Sequence, residues 1–371
     1  MRISPMLAGA AGWLASVALV SCGGGGSSMS MAPMTMASGY VSTHLISNIN
    51  TANNPYATAN VDPRLVNAWG IAFNPQAFGW VANNGSATAT LYDGDGVRQA
   101  LVVAIPAGAT GSARPTGIVF NGTPSFAVTQ NGVTAPAAFI FVGEGGTVSA
   151  WAQAVNANSA IVVVDRGAEN KSYTGLAIAS AGGAARLYAA DFHNGVVDVY
   201  DGNFAPVVRP GAFSDPQLPA GYAPFGIQAI GNQIVVAYAK QDAQAAKAVF
   251  GAGIGAVDVF DAAGTLTARL VVAGGVLNAP WGIALAPANF GTFSSDLLIG
   301  NLGDGRINAF NPTTGAWLGA LADGNGTPIA IDGLWGIAFG NGINSQPMNT
   351  LFYAAGPNNE SNGVYGRIDF H

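Results

Sequence analysis

From Tyr40 onward the chain alternates between short apolar runs and clusters of Gly, Asn and Asp. Short apolar runs bounded by turn residues predict β-strands. One run recurs six times, with Gly followed by apolar residues: Trp69-Gly70-Ile71-Ala72-Phe73, Thr116-Gly117-Ile118-Val119-Phe120, Thr174-Gly175-Leu176-Ala177-Ile178, Phe225-Gly226-Ile227-Gln228, Trp281-Gly282-Ile283-Ala284-Leu285 and Trp335-Gly336-Ile337-Ala338-Phe339. The glycines stand 47, 58, 51, 56 and 54 residues apart. A period of about 53 residues is too long for ankyrin, tetratricopeptide or leucine-rich repeats, and suits a four-stranded propeller blade with generous loops.

Each copy continues in the same way. A second apolar strand is predicted at 79–82, 138–142, 186–190, 233–239, 296–299 and 350–354. A third ends in an aromatic residue before Asp or Asn at Tyr92-Asp93, Tyr200-Asp201, Phe260-Asp261 and Phe310-Asn311, where the short polar side chains bond local backbone in tight turns. Blade two departs from this, with Trp151-Ala152. A weaker fourth strand is expected at 99–105, 159–164, 206–209, 265–272 and 317–321. The sixth copy offers only three strands, while an extra alternating strand, Tyr40–Ile46, precedes the first. The expectation is an all-β, six-bladed β-propeller in which that N-terminal strand closes the last blade and leaves no open sheet edge at the seam. The 332 residues from 40 to 371 exceed what one core normally supports, and repetition of a small interface removes that limit.

The stretch Asn194-Gly195-Val196-Val197-Asp198-Val199-Tyr200-Asp201 resembles the C-terminal half of an NHL repeat, as does 255–261. The whole 40–371 pattern resembles a family of secreted bacterial propellers, similar in outline to the NHL and SMP-30/gluconolactonase types. The resemblance implies the propeller fold. No stretch matches the gluconolactonase metal motif residue by residue.

Composition narrows the function classes. Gly (52) and Pro (20) make up about a fifth of 371 residues, and only 9% are charged, against a usual share of about 25%. Half the chain is apolar, enough to offset chain entropy, so disorder is excluded. Thirteen basic against 19 acidic residues leave a net charge of −6 with no basic run, which argues against a nucleic-acid partner.

The first forty residues read as an address. Arg2 supplies a positive start, and the apolar run 6–20 is shorter than the roughly 20 residues a bilayer span needs. It ends Leu19-Val20-Ser21-Cys22, which resembles a bacterial lipobox. That resemblance implies a signal peptide over 1–21, lipidation of Cys22 and export to the cell envelope. Gly rather than Asp follows the cysteine, which in Gram-negative lipoproteins implies the outer membrane. The alternative is an ordinary signal peptide with an incidental cysteine. Cys22 is the sole cysteine, so no internal disulfide can form. Residues 22–39 form a tether of Gly and Ser, then Met29, Met31, Met34 and Met36. Thioethers are soft ligands that select Cu(I), so copper handling stands beside a plain linker as a reading.

In a propeller the loops leading into strand one and out of strand two open on one face. They gather a ligand-binding set of Asn67, Trp69, Asn83, Arg114, Lys240, Trp281, Asp332 and Trp335, with Asn358-Asn359-Glu360 beside them. The tryptophans would either stack on a ring or pack the start of each blade. Glu144, Asp191, Asn301 and Asp304 offer oxygen ligands for Ca²⁺ or another divalent cation; the alternative is that such residues simply make turns. His193 is the best general-base candidate among three scattered histidines. No nucleophile elbow, P-loop or dinucleotide fingerprint appears. The expected role is a scaffold binding a small molecule or an envelope protein through a polar mouth, with a metal-dependent lactonase and copper handling as the alternatives.

Overall fold

The computed structural model describes residues 38–51 and 53–371. The expected signal peptide, Cys22 and the four methionines of the tether lie outside the described residues. Among the described residues the helical content is one short turn, Gly167–Glu169, and no helix is long and apolar enough to cross a membrane.

The chain forms six antiparallel meanders around one axis. Their innermost strands are Ala68–Phe73, Pro115–Phe120, Tyr173–Ala181, Tyr222–Ile230, Pro280–Leu285 and Leu334–Phe339. Each touches the innermost strand of the next blade, and the sixth returns to the first, so the ring is closed. The seam is as expected: Tyr40–Ser47 pairs antiparallel with Val364–Phe370, from Tyr40↔Phe370 to Ser47↔Val364. Asn60–Val61 adds a short parallel partner outside it.

The repeated glycine has one physical cause. A Cβ built on Gly70, Gly117, Gly175, Gly226, Gly282 or Gly336 would come within 3.1 Å or less of backbone in the following blade: Thr116 O, Leu176 N, Phe225 O, Trp281 O, Trp335 O and Trp69 O respectively. Blades can approach this closely at the axis only where no side chain intervenes. The pairing register of each innermost strand also slips just before or at this glycine. A bulge re-aims the residue it displaces. Here it acts on Trp69, Thr116, Thr174, Phe225, Trp281 and Trp335, the six residues before the glycines.

Beyond the glycine, period-two alternation takes over. Ile118 and Phe120 face blade one, while Val119 faces blade three. The same alternation fills all six interblade layers with buried apolar side chains. A seventh cluster lies on the axis.

Two departures from expectation bear on the periphery. Residues 206–209 form no fourth strand in blade three: one isolated bridge, Tyr200↔Pro206, and the bond from Val207 N to Val199 O are all that pair there. Pro206 and Pro210 lack the N–H that a continuing ladder needs. Blade two carries an additional hairpin, Ala127–Gln130 with Val133–Pro136, between its first and second strands.

Candidate functional site

The six bulged residues form a layer near the upper end of the channel. Trp69 and Trp335 stack with ring centroids 3.5 Å apart, and Trp281 stands edge-on to both at 6.0 and 5.9 Å. Trp281 Nε1 donates across the axis to Thr174 O (2.9 Å), and Trp335 Nε1 donates to Asn67 Oδ1 (3.1 Å). Trp69 Nε1 is buried without a hydrogen-bond partner among the described residues. Where the bulged residue is threonine, its hydroxyl bonds the next blade instead, Thr116 to Tyr173 O (2.7 Å) and Thr174 to Phe225 O (2.8 Å). With Phe192, Phe225 and Leu302, the indoles make an aromatic plug.

Above the plug lies a cavity of about 340 Å³, floored by Trp69, Trp335, Phe192 and Phe225 and rimmed by Arg114, Glu144, Lys247, Asp332 and Glu360. The rim is wired to the floor. Glu360 Oε2 accepts from Asn67 Nδ2 (3.2 Å), the same amide whose oxygen receives the Trp335 indole. Asn67 Nδ2 also reaches Asn84 Oδ1 (3.4 Å), Asn84 donates to Glu144 Oε2 (2.9 Å), and Arg114 Nε pairs with that oxygen at 2.8 Å. Burial raises the Glu360 carboxyl above the usual range. The Glu144 charge raises it further, while Lys247, Arg114 and the Asn67 bond oppose the rise. Asn358, Asn359 and Glu360 all have φ between +52° and +65°. Three consecutive left-handed residues without glycine are a strained arrangement of the kind found at binding loops. Asp332 Oδ2 accepts both Asn358 N and Tyr56 OH, at 3.0 Å each, and so steadies this loop.

Of the expected mouth residues, Trp69, Arg114, Asp332 and Trp335 line the cavity, together with Glu144. Asn67 stands behind Glu360, and Trp281 belongs to the plug. Asn83 turns into its own blade, donating to Thr88 and Thr90. Lys240 is exposed and is not part of the cavity lining.

The metal set does not assemble. Asp191 is engaged by Lys171 (3.1 Å) and by Asn194, Asn301 donates to Val276 O, Asp304 accepts the Arg306 N–H in a local turn, and Glu144 pairs with Arg114. Among the described residues no three His, Cys, Asp or Glu side chains stand close enough to hold a metal ion. The physical reason is that the Glu144, Asp191 and Asp304 carboxylates are each drawn into hydrogen bonds or ion pairs near their own blade, while Asn301 Oδ1 is buried with no hydrogen-bond partner among the described residues. His193 Nδ1 lies 3.1 Å from Ala245 O and pins a loop, and it does not line the cavity.

Sequence reasoning missed Lys247, Phe250, Phe192 and Phe225. The first two come from residues 241–254, which link the second and third strands of blade four and fold over the mouth. The length of that connection, greater than at the same place in any other blade, was the available signal.

A scan against models of known protein families finds no match. Two uncharacterised proteins of Acanthamoeba polyphaga mimivirus are similar in sequence. One is 34% identical over 86% of this chain and 79% of the viral protein, the other 31% identical over 88% and 84%. These relatives are viral, so the bacterial source implied by the lipobox and secreted-propeller resemblances draws no support from them. Among solved structures, a glucose dehydrogenase matches with a TM-score of 0.50 at 14% identity over 88% of this chain and 98% of the other. The apo form of soluble aldose sugar dehydrogenase from Escherichia coli matches with 0.50 at 13%, over 89% and 99%. At such identities the likeness is one of fold.

Proposed function

We propose that this chain, which belongs to the same family as the two uncharacterised mimivirus proteins, is a small-molecule-binding propeller whose site is the upper mouth of its channel. One observation carries the reading: a cavity of about 340 Å³ whose floor is a packed aromatic plug and whose rim is charged. Ligand sites of about 300–1,000 Å³ with apolar walls and a few convergent polar groups are the usual pattern. The plug supplies a rigid apolar floor for a flat ring, because its indoles lock one another. The rim supplies hydrogen-bond partners for that ring's substituents.

The test is a panel of monocyclic and bicyclic compounds titrated against tryptophan emission, repeated with Phe250→Ala and Arg114→Ala. Both positions are exposed enough that the fold tolerates the change. Quenching by some members, weakened by both variants, supports the reading. Ligands whose affinity ignores both variants would sink it.

We further propose lipid attachment at Cys22, supported by Leu19-Val20-Ser21-Cys22 after an apolar run. Palmitate labelling in a bacterial host should mark the protein, and Cys22→Ser should abolish the label.

A further inference from the structure

We infer that the upper mouth selects an organic cation, held over the aromatic floor with Glu360 as its counter-charge, and that its binding is linked to release of a proton from Glu360. This rests on the reading of that mouth as a ligand site and names the ligand's class.

The geometry argues by elimination among the rim charges. Arg114 and Glu144 neutralise each other at 2.8 Å. Among the described residues Asp332 and Glu360 have no cationic partner within ion-pair distance; their contacts are Tyr56 OH, a backbone N–H and an amide. Lys247 is the remaining cation on the rim, and it sits on the exposed loop of blade four. The rim thus carries one more carboxylate than cation. The floor below is aromatic, and the faces of indole and phenyl rings are regions of negative potential that attract cations within about 6 Å of the ring centroid. An anionic ligand would meet the same aromatic faces and two unpaired carboxylates, with only an exposed lysine to receive it.

Proton linkage follows from the surroundings of Glu360. Burial and the Glu144 charge favour its protonated form, while Lys247, Arg114 and the Asn67 amide favour the carboxylate. Asp332 stands on the same rim, bonded to Tyr56 OH and the Asn358 N–H. A cation placed above Glu360 favours the ionised form and expels whatever proton remains. Affinity for a cation must therefore fall as pH falls through the range in which Glu360 protonates.

The experiment uses three probes sharing one ring: benzyltrimethylammonium, benzyl alcohol and phenylacetate. Each is titrated by calorimetry into the whole protein at about pH 8 and about pH 5, in buffers of different ionisation enthalpy. The expected result is that benzyltrimethylammonium binds about tenfold or more tightly than benzyl alcohol at the higher pH. It should weaken at the lower pH with measurable proton release, and phenylacetate should bind least. Glu360→Gln should weaken the cation and abolish both the pH dependence and the proton release. Asp332→Asn should weaken it while leaving proton release intact. Equal binding of cation and alcohol, or preference for phenylacetate, overturns the cation inference but leaves a ring-binding site. Cation preference with no pH dependence overturns the assignment to Glu360. Failure of all three probes to bind overturns both this inference and the ligand-site reading.

Discussion

The two mouths of the channel are built by the same six strands and could hardly differ more. The lower mouth is lined by the continuing β-ladder, with Phe73, Phe120, Ile178, Ala229, Leu285 and Phe339 three residues past the six glycines. Its lining residues include no titratable group. The upper mouth begins at the bulges, where the ladder breaks at three tryptophans, two threonines and a phenylalanine. Above them come loops of unequal length, and with them every charge on the cavity. Regular hydrogen bonding forces regular alternation and hence a largely apolar rim, broken by the amide of Gln228. Breaking it frees each blade to contribute something different, so specificity can arise only at the upper end.

The largest expected effect would abolish the comparison. Gly226→Ala drives a Cβ into the carbonyl of Trp281, a backbone group with no room to move, at the axis where both mouths originate. A loss of about 4 kcal/mol or more in a urea melt, or failure to fold, is expected. Near-normal stability would show that the axial glycines are not what sets blade spacing.

Next, the two ends should differ in cost. Trp335→Ala removes a buried ring that stacks on Trp69 and bonds Asn67, and should cost about 3–5 kcal/mol. Phe339→Ala, on the half-exposed lower rim, should cost about 1–2 kcal/mol. Equal losses in matched denaturation curves would mean that the plug is no more essential than the lower ring.

The pH response should separate the mouths from each other and from the blades. The most strongly raised carboxyl lies in neither mouth. Burial and the Asp215 charge push the Asp258 carboxyl up to about 7, while the Arg269 charge opposes the rise. The folded state then holds a proton that the unfolded chain has released. Stability should therefore fall as pH rises from about 4 towards about 7, and Asp258→Asn should remove most of that slope. In the Asp258→Asn background, Glu360→Gln should flatten the smaller remaining slope of the same sign, because the Glu360 carboxyl is also raised in the fold. Phe339→Ala should leave the slope unchanged. Thermal melts across the pH range read all three.

The smallest effect is that of Arg114→Ala, whose ion pair with Glu144 is half-exposed. Less than about 1 kcal/mol, shrinking with added salt, is expected; double-mutant cycles with Glu144→Gln measure it.

Much of the fold was legible because a propeller writes its geometry into spacing. The six axial glycines at near-regular intervals, with strands repeating behind each, gave the blade number. The missing fourth strand of the last copy and the surplus Tyr40–Ile46 pointed to the seam. Residues 206–209 misled because the apolar pair Val207-Val208 reads as a strand until the flanking prolines are weighed. The hairpin at 127–136 belongs to no repeat, so no period announces it.

The site was legible only as a collection of loop residues at one end. Local sequence determines strand, turn and glycine, because these depend on neighbours along the chain and on hard-sphere contact at a repeated position. It cannot determine which polar groups remain available, because that is set by partners far away in sequence. Lys171 claims Asp191, Arg114 claims Glu144, and Asn67 ties Glu360 to Trp335 across the seam. Only after the ring closes are these choices made, and what they leave unpaired above the aromatic floor is the chemistry of the mouth.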